Sequence, residues 1–536
     1  MAKKNKADRR SEKAPAKTEP RPAVHTAKAL DFLLDGYLLF LGLALPLYLP
    51  DGYQALGYDK FVFWRNGTMV FLILAAVLYL SLLFQKTPDL TMTEPWKQPF
   101  SGLDKAMLAY GLVITVSFLF AHDHEEALWG TYGWHLGWMT HLLVLAVYAL
   151  YSRMYRRHAF TELFLVSGFL PVMILQFFQR LGLFTFDNAL NEQVCVSTVG
   201  NINWYCGYQA VMVSVLTARF VKEDPGKRTW LFLEGLFCLF ALFSLITNGS
   251  NSVYLYLLSV FTALFILGLT DMRILKRMLV LAGESGMLAW IMNLLRLARP
   301  DLYLRLIAYE DNYIGLIARN HIGLILALGC AALLWLLRKR GENGKEVLTV
   351  KRAGLLLGGI LLGGVMLVLL VQFTGIPYLA DSWGNNRGAL WRFSKSMFLA
   401  FPWFRKGIGT GPDCYFIWYF DHQEYAAFVD QLAEGWRYTN AHSEGLTILI
   451  NTGIFGLIST LAVFVLAFLH GLSSLAEESG GRGDQGLITV LVITGVSAVL
   501  TVSFQHIMLL PYLFLIFALE QSGKSTGLSF DETGNS

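Results

Sequence analysis

The chain has 536 residues, of which 55% are hydrophobic and 15% are charged, and its formal net charge is +4. A soluble globular domain carries about 25% charged residues, so this composition excludes a series of soluble domains. Repeated apolar stretches close to 20 residues long predict helices that cross a bilayer. The chain contains only 5 cysteines, which excludes a disulfide-scaffold protein.

The N-terminal segment is basic, since residues 1–28 hold nine Lys and Arg against three Asp and Glu. We interpret it as a disordered cytosolic tail that contacts anionic membrane lipids, and we expect no nucleic-acid partner. The apolar stretch that follows is longer than the core of a cleavable signal peptide. It therefore predicts a first membrane span.

Further apolar stretches predict an all-α, polytopic integral membrane protein with roughly 12–14 transmembrane helices. The positive-inside rule places both termini in the cytoplasm if the weaker segment 278–297 also crosses the membrane. The predicted spans lie near residues 30–49, 67–84, 103–120, 136–151, 160–178, 205–220, 230–246, 252–270, 316–337, 354–373, 447–470, 487–503 and 505–520.

These spans divide the chain into five predicted parts. A transmembrane bundle over 29–373 follows the tail, and C-terminal membrane helices at 447–520 precede a cytosolic tail at 521–536. Between the two helical parts lies a large extracytoplasmic loop, residues 374–446, rich in Trp, Tyr, Gly and charged residues. Long loops inside compact proteins are commonly functional, so this loop is the predicted location of the site.

Two kinds of side chain in this loop suit chemistry on a phosphorylated lipid. Arg387 and Arg392 carry guanidinium groups, whose fixed charge and planar fork of donors match a diphosphate. His442, at the end of the loop, can remove a proton near neutral pH. Soluble-enzyme signatures such as G-x-x-x-x-G-K-[ST], H-E-x-x-H and C-x-x-C do not occur in the sequence. We therefore expect no cofactor and no metal site.

Each of these features also has a structural interpretation. Arginines at a membrane face commonly reach lipid headgroups, and a single histidine beside a span, such as His442, is commonly structural. Gly409 and Gly411 can serve a loop that needs positive φ. Gly453 and Gly456 can allow close helix packing.

The order of motifs resembles the O-antigen ligase and polymerase family, polytopic enzymes of bacterial surface-polysaccharide assembly. The matching motifs are N-R-G-x-x-W at 386–391, F-P-x-F-x-K-x-x-G-x-G-P-D at 401–413, A-H-S-E-x-L at 441–446, T-G-I-x-G-L at 452–457 and G-N-x-N at 200–203. The G-P-D form and the basic tail are most similar to the branch of the family found in Gram-positive bacteria.

The resemblance implies a GT-C-like membrane architecture and a metal-independent glycosyltransferase at the outer face of the cytoplasmic membrane. The implied donor is an oligosaccharide on undecaprenyl diphosphate, and the acceptor is a glycan, a lipid or a wall polymer. His442 and Arg387 are the implied catalytic residues. The candidate substrate-binding residues are Arg392, Trp391, Arg319, Asn201, Asn203, Gly409, Gly411 and Glu444.

One departure from the family concerns the charge available for the diphosphate. The family often has a Ser-Arg pair after a span in the middle of the chain, whereas residues 247–252 here read T-N-G-S-N-S. Arg319 is placed as a substitute by the predicted topology alone.

Two other functions remain open from the sequence, namely a lipid-linked glycan transporter or flippase and a non-catalytic partner in polysaccharide assembly. A transporter is expected to show discontinuous paired spans with polar residues at the membrane midplane. Convergence of Arg387 and His442 on one site at the outer face would favour the enzyme.

Overall fold

The computed structural model describes residues 22–84, 99–184, 186, 195–308, 313–338, 347–415, 438–477 and 482–522. Within these ranges the protein is helical, apart from two short antiparallel strands, β1 (Cys195–Val196) and β2 (Gly200–Asn201). The strands pair Cys195 with Asn201 and Val196 with Gly200. The all-α prediction is thus confirmed.

The first half of the chain forms thirteen α-helices within the described residues, and a π-helical turn at Phe40–Ala44 separates the first two. They are α1 (Pro22–Leu39), α2 (Leu45–Leu47), α3 (Leu56–Phe84), α4 (Gly102–Leu119), α5 (His124–Trp129), α6 (Trp138–Met154), α7 (Thr161–Val166), α8 (Phe169–Arg180), α9 (Ile202–Lys222), α10 (Arg228–Ile246), α11 (Ser252–Gly268), α12 (Met272–Ala298) and α13 (Pro300–Ile307). Helix α1 begins at Pro22 and so includes the last seven residues of the segment interpreted as a tail.

The second half contains the loop that carries the predicted site. The helices of this second half are α14 (Tyr313–Arg319), α15 (Ile322–Leu337), α16 (Val350–Thr374), α17 (Trp383–Ala400), α18 (Trp403–Ile408), α19 (Glu444–Ala476), α20 (Arg482–Leu500) and α21 (Leu510–Ser522). Helices α17 and α18 lie in the predicted loop 374–446, and residues 416–437 of that loop lie outside the described ranges. The same holds for most of the predicted tails, residues 1–21 and 523–536.

The protein is a multi-pass membrane protein by the length and composition of its helices. Eight helices in the described residues can cross a membrane, or nine if α14 and α15, which meet at a bend of 69°, form one broken span. The eight are His25–Leu47, Leu56–Phe84, Gly102–Leu119, Thr161–Arg180, Arg228–Ile246, Met272–Ala298, Val350–Thr374 and Glu444–Ala476. Three shorter apolar helices accompany them, at Ser252–Gly268, Asp484–Leu500 and Leu510–Ser522.

The weak segment 278–297 lies inside α12, a continuous helix of 27 residues that passes the length and hydropathy test. Helix α9 is predicted as a span near 205–220, yet it is absent from the group of eight. Eighteen of its residues are buried, and they include Gln209, which donates a hydrogen bond to Ser244. A helix surrounded by protein can carry polar residues, because its partners satisfy them.

Helices α9 and α21 form the centre of the molecule, since nearly every side chain of both is buried. Helix α9 packs against α20, and α21 packs against α6. Outer helices such as α3 and α16 expose large apolar side chains, including Val70, Ile73 and Leu367. In a multi-pass protein this surface is expected to face lipid.

Two charged side chains inside the bundle, Lys60 and Arg153, have partners at helix ends. The ammonium group of Lys60 donates to three carbonyl oxygens at the C-terminal end of α2, those of Leu45, Pro46 and Tyr48, at 2.8–3.2 Å. These carbonyls are the groups that a helix C-terminus leaves without partners. Arg153 forms a buried ion pair with Asp104 at 2.7 Å. Both contacts hold helix ends in place at the cost of burying charge.

Candidate active site

The segment between α20 and α21, residues 501–509, is where the predicted catalytic residues meet. Arg387 Nε donates a hydrogen bond of 3.0 Å to the carbonyl oxygen of Val502. The ring of His442 lies edge-on to the ring of Phe504, with centroids 5.2 Å apart. One residue further, the backbone N–H of Gln505 donates to Glu444 Oε2 at 2.8 Å. The segment therefore brings together the start of α17 and the start of α19.

His442 occupies a backbone conformation that holds its ring in place. Its φ is +47°, in the left-handed region, and its backbone N–H donates to Asn440 Oδ1 at 3.0 Å. The ring also contacts Tyr438, with centroids 6.3 Å apart. Within the described part of the chain, the buried Nδ1 atom of His442 has no hydrogen-bond partner. Non-glycine residues with positive φ are uncommon and often functional.

The protonation state of His442 follows from its surroundings. Burial, and then the positive charge of Arg387, lower the pKa of His442 to about 3. The imidazole is therefore neutral at physiological pH, the state in which it can accept a proton.

Arg387 lies in the first turns of α17 and is held by backbone carbonyls. Its Nη1 donates to Gly384 O, in addition to the bond from Nε to Val502 O. Burial lowers the pKa of Arg387 from its ordinary value, but an arginine remains charged in proteins. Its Nη2 forms no hydrogen bond to the described residues. The side chain can thus offer a charged donor beside a neutral imidazole.

Arg392 and Trp391 have other partners. The guanidinium of Arg392 pairs with the carboxylate of Asp381, and its Nη1 donates to Leu379 O at 2.6 Å. Asp381 thus offsets much of the positive charge of Arg392, which was predicted from the sequence to bind a diphosphate. Trp391 is 4% exposed and belongs to an apolar cluster under α17. The described contacts of neither residue reach His442 or Arg387.

The two asparagines of the G-N-x-N motif join α9 to a loop. Asn201 Oδ1 caps α9 by accepting the N–H of Asn203 at 2.8 Å. Asn203 Oδ1 accepts a hydrogen bond from the hydroxyl of Ser250 at 2.9 Å.

Arg319 is exposed at the C-terminal end of α14, beside the 69° bend. Contacts of Asn201, Asn203 and Arg319 with substrate stay a prediction.

Helix α19 is broken at Gly453, and the glycine-rich loop packs into the break. Gly453 has φ +68° and ψ −168° inside the helix. The freed carbonyls of Ile450 and Asn451 accept the N–H groups of Thr410 and Gly411, at 3.0 and 2.9 Å. The glycine-rich motif at 407–411 and the T-G-I-x-G-L motif at 452–457 thus pack against each other.

Close approach explains why glycines stand on both sides of this contact. A Cβ at Gly409 would lie 2.4 Å from the carbonyl of Asn451, and φ there is +74°. At Gly411, where φ is +127°, a Cβ would lie 2.7 Å from the Cβ of Ala121. The geometry gives Gly409 and Gly411 a packing role. Their predicted contact with substrate is not needed to explain them and stays a prediction.

Gly453→Ala is expected to destabilise the protein by roughly 2–5 kcal/mol. The new Cβ would lie 2.4 Å from the backbone of Gly407, and the left-handed φ adds strain. Gly329→Ala is the control, because nothing lies within 4 Å of its Cβ position and alanine favours the helix. Thermal unfolding in detergent measures both, and equal midpoints for the two variants would refute this packing.

Glu444 lines a small cavity of about 50 Å³. Its lining includes Tyr110, His141, Asp413, Asn440 and Asn451. Asp413 Oδ2 accepts the backbone N–H groups of Thr131 and Leu136, at 2.8 and 3.0 Å. Burial raises the pKa of Asp413 to about 8. A polar cavity of this size has room for one or two water molecules.

We did not predict from the sequence that residues 501–509 contact both Arg387 and His442. The sequence interpretation placed spans at 487–503 and 505–520 and left a single residue between them, whereas α20 ends at Leu500 and α21 begins at Leu510. His506 stacks on Trp204 with centroids 5.1 Å apart. This contact joins the segment to the G-N-x-N motif. The signal was the polar residues Thr501, Ser503, Gln505 and His506 between two apolar runs.

A comparison with protein families agrees with the motifs. Residues 313–461 match the family model described as O-Antigen ligase. The match runs from α14 to the middle of α19, so it contains Arg387, His442 and the glycine contact. No curated protein matches the chain. Over this part of the chain the resemblance to O-antigen ligases is confirmed, and membership of the Gram-positive branch stays a prediction.

Proposed function

We propose that this membrane protein is a metal-independent glycosyltransferase that transfers or polymerises a glycan carried on undecaprenyl diphosphate. The observation that carries the proposal is that Arg387 and His442, both inside the region similar to O-antigen ligases, meet on residues 502–504, which lie after that region. In glycosyl transfer from a diphosphate, a positioned base accelerates attack by the acceptor and a positioned cation stabilises the leaving diphosphate. The proposed acceptor is a glycan, a lipid or a wall polymer.

In the proposed reaction, the hydroxyl oxygen of the acceptor attacks the anomeric carbon of the donor's reducing-end sugar. A glycosidic bond forms as the bond from that carbon to the diphosphate oxygen breaks. His442, whose imidazole is neutral before the reaction, accepts the hydroxyl proton. The negative charge of the bound diphosphate opposes the effect of Arg387 and raises the pKa of His442 for this step. Undecaprenyl diphosphate leaves with the electron pair of the broken bond.

Arg387 stabilises the negative charge that develops on the leaving diphosphate. Its Nε and Nη1 are fixed by the carbonyls of Val502 and Gly384. A cation held in position before the reaction stabilises a leaving anion without reorganisation. The glycosyl–diphosphate bond is already activated, so the transfer needs no nucleotide. Arg387 supplies the charge that a metal ion supplies in other glycosyltransferases.

The site is proposed to face the outside of the cytoplasmic membrane, with both termini inside. This orientation follows from the distribution of Lys and Arg in the sequence. Reporter fusions at Gln423, in the large loop, and at Asn343, in the basic loop before α16, are expected to report opposite sides. The same side for both fusions would refute the orientation.

The function itself can be tested with purified protein and a lipid-linked oligosaccharide, in the presence of a chelator and without nucleotide. Longer or transferred glycan is the expected product. Movement of the intact lipid-linked oligosaccharide between leaflets of a vesicle, with no new glycosidic bond, would instead identify a flippase.

A further inference from the structure

Helices α17 and α18 meet at an elbow, residues 399–404, that projects from the protein with an apolar tip. Leu399, Trp403 and Phe404 are 54%, 86% and 41% exposed, and none of the six residues of α18 is buried. The rings of Trp403 and Phe404 contact each other edge to face, with centroids 6.3 Å apart. A contiguous exposed apolar surface marks contact with another molecule or with a membrane.

The edge of the membrane along α19 can be located from the length and exposure of that helix. Its 33 residues correspond to about 50 Å at 1.5 Å per residue, which exceeds the roughly 30 Å of a bilayer core. None of residues 444–453 is exposed, whereas large apolar side chains are exposed from Ile454 onwards. Residues 454–476 correspond to about 34 Å, so the hydrocarbon region begins near Gly453.

Helix α18 packs directly against this edge. A Cβ at Gly407 would lie 3.1 Å from the ring of Phe455, and Phe455 is exposed at the start of the lipid-facing part of α19. The contact between residues 407–411 and the helix break at Gly453 fixes this position. The elbow, which directly precedes α18, therefore lies at the edge of the hydrocarbon region.

The end of α4 indicates the same level independently. Helix α4 is a candidate span that ends at Leu119, and Leu119 and Phe120 are both exposed. Arg405 Nη1 donates hydrogen bonds to the carbonyl oxygens of Phe120 and Gly409, the latter at 3.1 Å. Two spans thus place α18 at the membrane surface, α4 through an arginine and α19 through the glycine contact.

The charged residues around the elbow are all positive. Residues 395–408 contain Lys395, Arg405 and Lys406, and no Asp or Glu. Aromatic side chains are enriched at membrane–water interfaces, and basic side chains beside them are attracted to anionic lipids. Exposed rings followed by cations therefore match the boundary between acyl chains and anionic headgroups.

We propose that the elbow inserts Leu399, Trp403 and Phe404 into the bilayer leaflet on the side of the candidate active site, with Lys406 at the phosphates of anionic lipids. The large loop is then held by the bilayer as well as by its flanking helices. Helix α17 connects the elbow to Arg387, so the depth of the elbow contributes to the height of Arg387 above the membrane. This contact with lipid does not depend on the proposed glycosyl transfer.

The depth of the elbow can be measured with a fluorophore on a single cysteine of the protein in lipid nanodiscs. Ala400→Cys labels the exposed last residue of α17 and leaves the rings of the elbow in place. Cys195→Ser removes the one native cysteine that is not buried. Two references use Glu125→Cys, exposed in the acidic first turn of α5, for water, and Leu112→Cys, exposed near the middle of α4, for the hydrocarbon core.

Quenching should be compared between phospholipids that carry a nitroxide near the headgroup and near the end of the acyl chain. The Ala400→Cys label is expected to lose more fluorescence to the shallow nitroxide than to the deep one. Leu112→Cys should show the reverse order, and Glu125→Cys should be quenched little by either. Equal quenching at Ala400→Cys and Glu125→Cys would overturn the proposal. A label shielded from water but not quenched would also overturn it, because protein would then cover the elbow.

Substitutions separate the contributions of the rings and of the charge. Trp403→Gln should reduce quenching of the Ala400→Cys label, whereas Trp335→Gln, at a tryptophan on α15 that is also exposed, should leave it unchanged. Lys406→Gln should reduce quenching in nanodiscs that contain phosphatidylglycerol and not in phosphatidylcholine alone. Unchanged quenching in Trp403→Gln would refute insertion of the rings. An equal effect of Lys406→Gln in both lipids would refute the contact with anionic headgroups.

Discussion

His442→Ala is expected to lower glycan transfer by roughly 10²–10⁴-fold, the usual cost of removing a positioned acid–base group. The imidazole is neutral, half-buried and held between Phe504 and Tyr438. Turnover should be measured by counting transferred glycan at matched protein level.

His124→Ala provides the control for this variant, since His124 is an exposed imidazole on α5. It is expected to retain wild-type turnover. Near-wild-type transfer by His442→Ala would show that the catalytic assignment is wrong, and only the similarity to O-antigen ligases would remain.

The pH profile gives a second readout of the same residue. The lowered pKa of His442 keeps its imidazole neutral from high pH down to about pH 3. The fraction of active base is therefore constant between pH 5 and 8 and falls only as pH drops through about 3. The kcat/KM of wild type, which reports the free enzyme, should show no acid limb near 6.5 that belongs to His442. A limb there that disappears in His442→Gln would contradict the described environment.

Arg387→Ala is expected to lower transfer by roughly 10²–10³-fold, the usual cost of removing one preorganised donor to a developing anion. Arg387→Lys should also be impaired, because one ammonium nitrogen cannot occupy the separate positions from which Nε and Nη1 bind Val502 O and Gly384 O while Nη2 stays available. Both variants should be compared with wild type for donor KM and kcat. Loss confined to donor affinity at unchanged kcat would refute a role in the reaction step.

Arg392→Ala is the matched control on the same helix. Its guanidinium is paired with Asp381 and bound to Leu379 O, so its charge is already offset. We expect a much smaller loss of transfer than for Arg387→Ala. Equal losses for the two arginines would show that Arg392 also serves the diphosphate.

The residues of the site that are close in sequence could be predicted from motifs. Arg387 lies near the start of the large loop, in the first turns of α17, and His442 lies near its end, two residues before α19. What the sequence does not reveal is the third member of the arrangement. Val502 lies 115 residues from Arg387, and no periodicity or charge pattern connects residues so far apart. Their pairing depends on how α19, α20 and α21 pack.

The glycine motifs show a similar limit. The sequence allowed positive φ at Gly409 and close packing at Gly453 as separate explanations. In the structure these are one feature, because the loop that carries Gly409 packs against the helix break at Gly453. Likewise, the sequence predicts a span near 205–220, yet α9 is absent from the eight candidate spans, because it carries polar side chains whose partners lie inside the bundle.

The most direct test of the central claim is the stoichiometry of a single turnover. Purified protein in excess is mixed with a labelled undecaprenyl diphosphate oligosaccharide and an acceptor, with chelator and without nucleotide. Wild type should release one undecaprenyl diphosphate for each glycosidic bond formed, and His442→Ala should bind the donor but form both products roughly 10²–10⁴-fold more slowly. Release of undecaprenyl diphosphate without a new glycosidic bond, or no chemical change in the donor with wild type, would contradict glycosyl transfer by this protein.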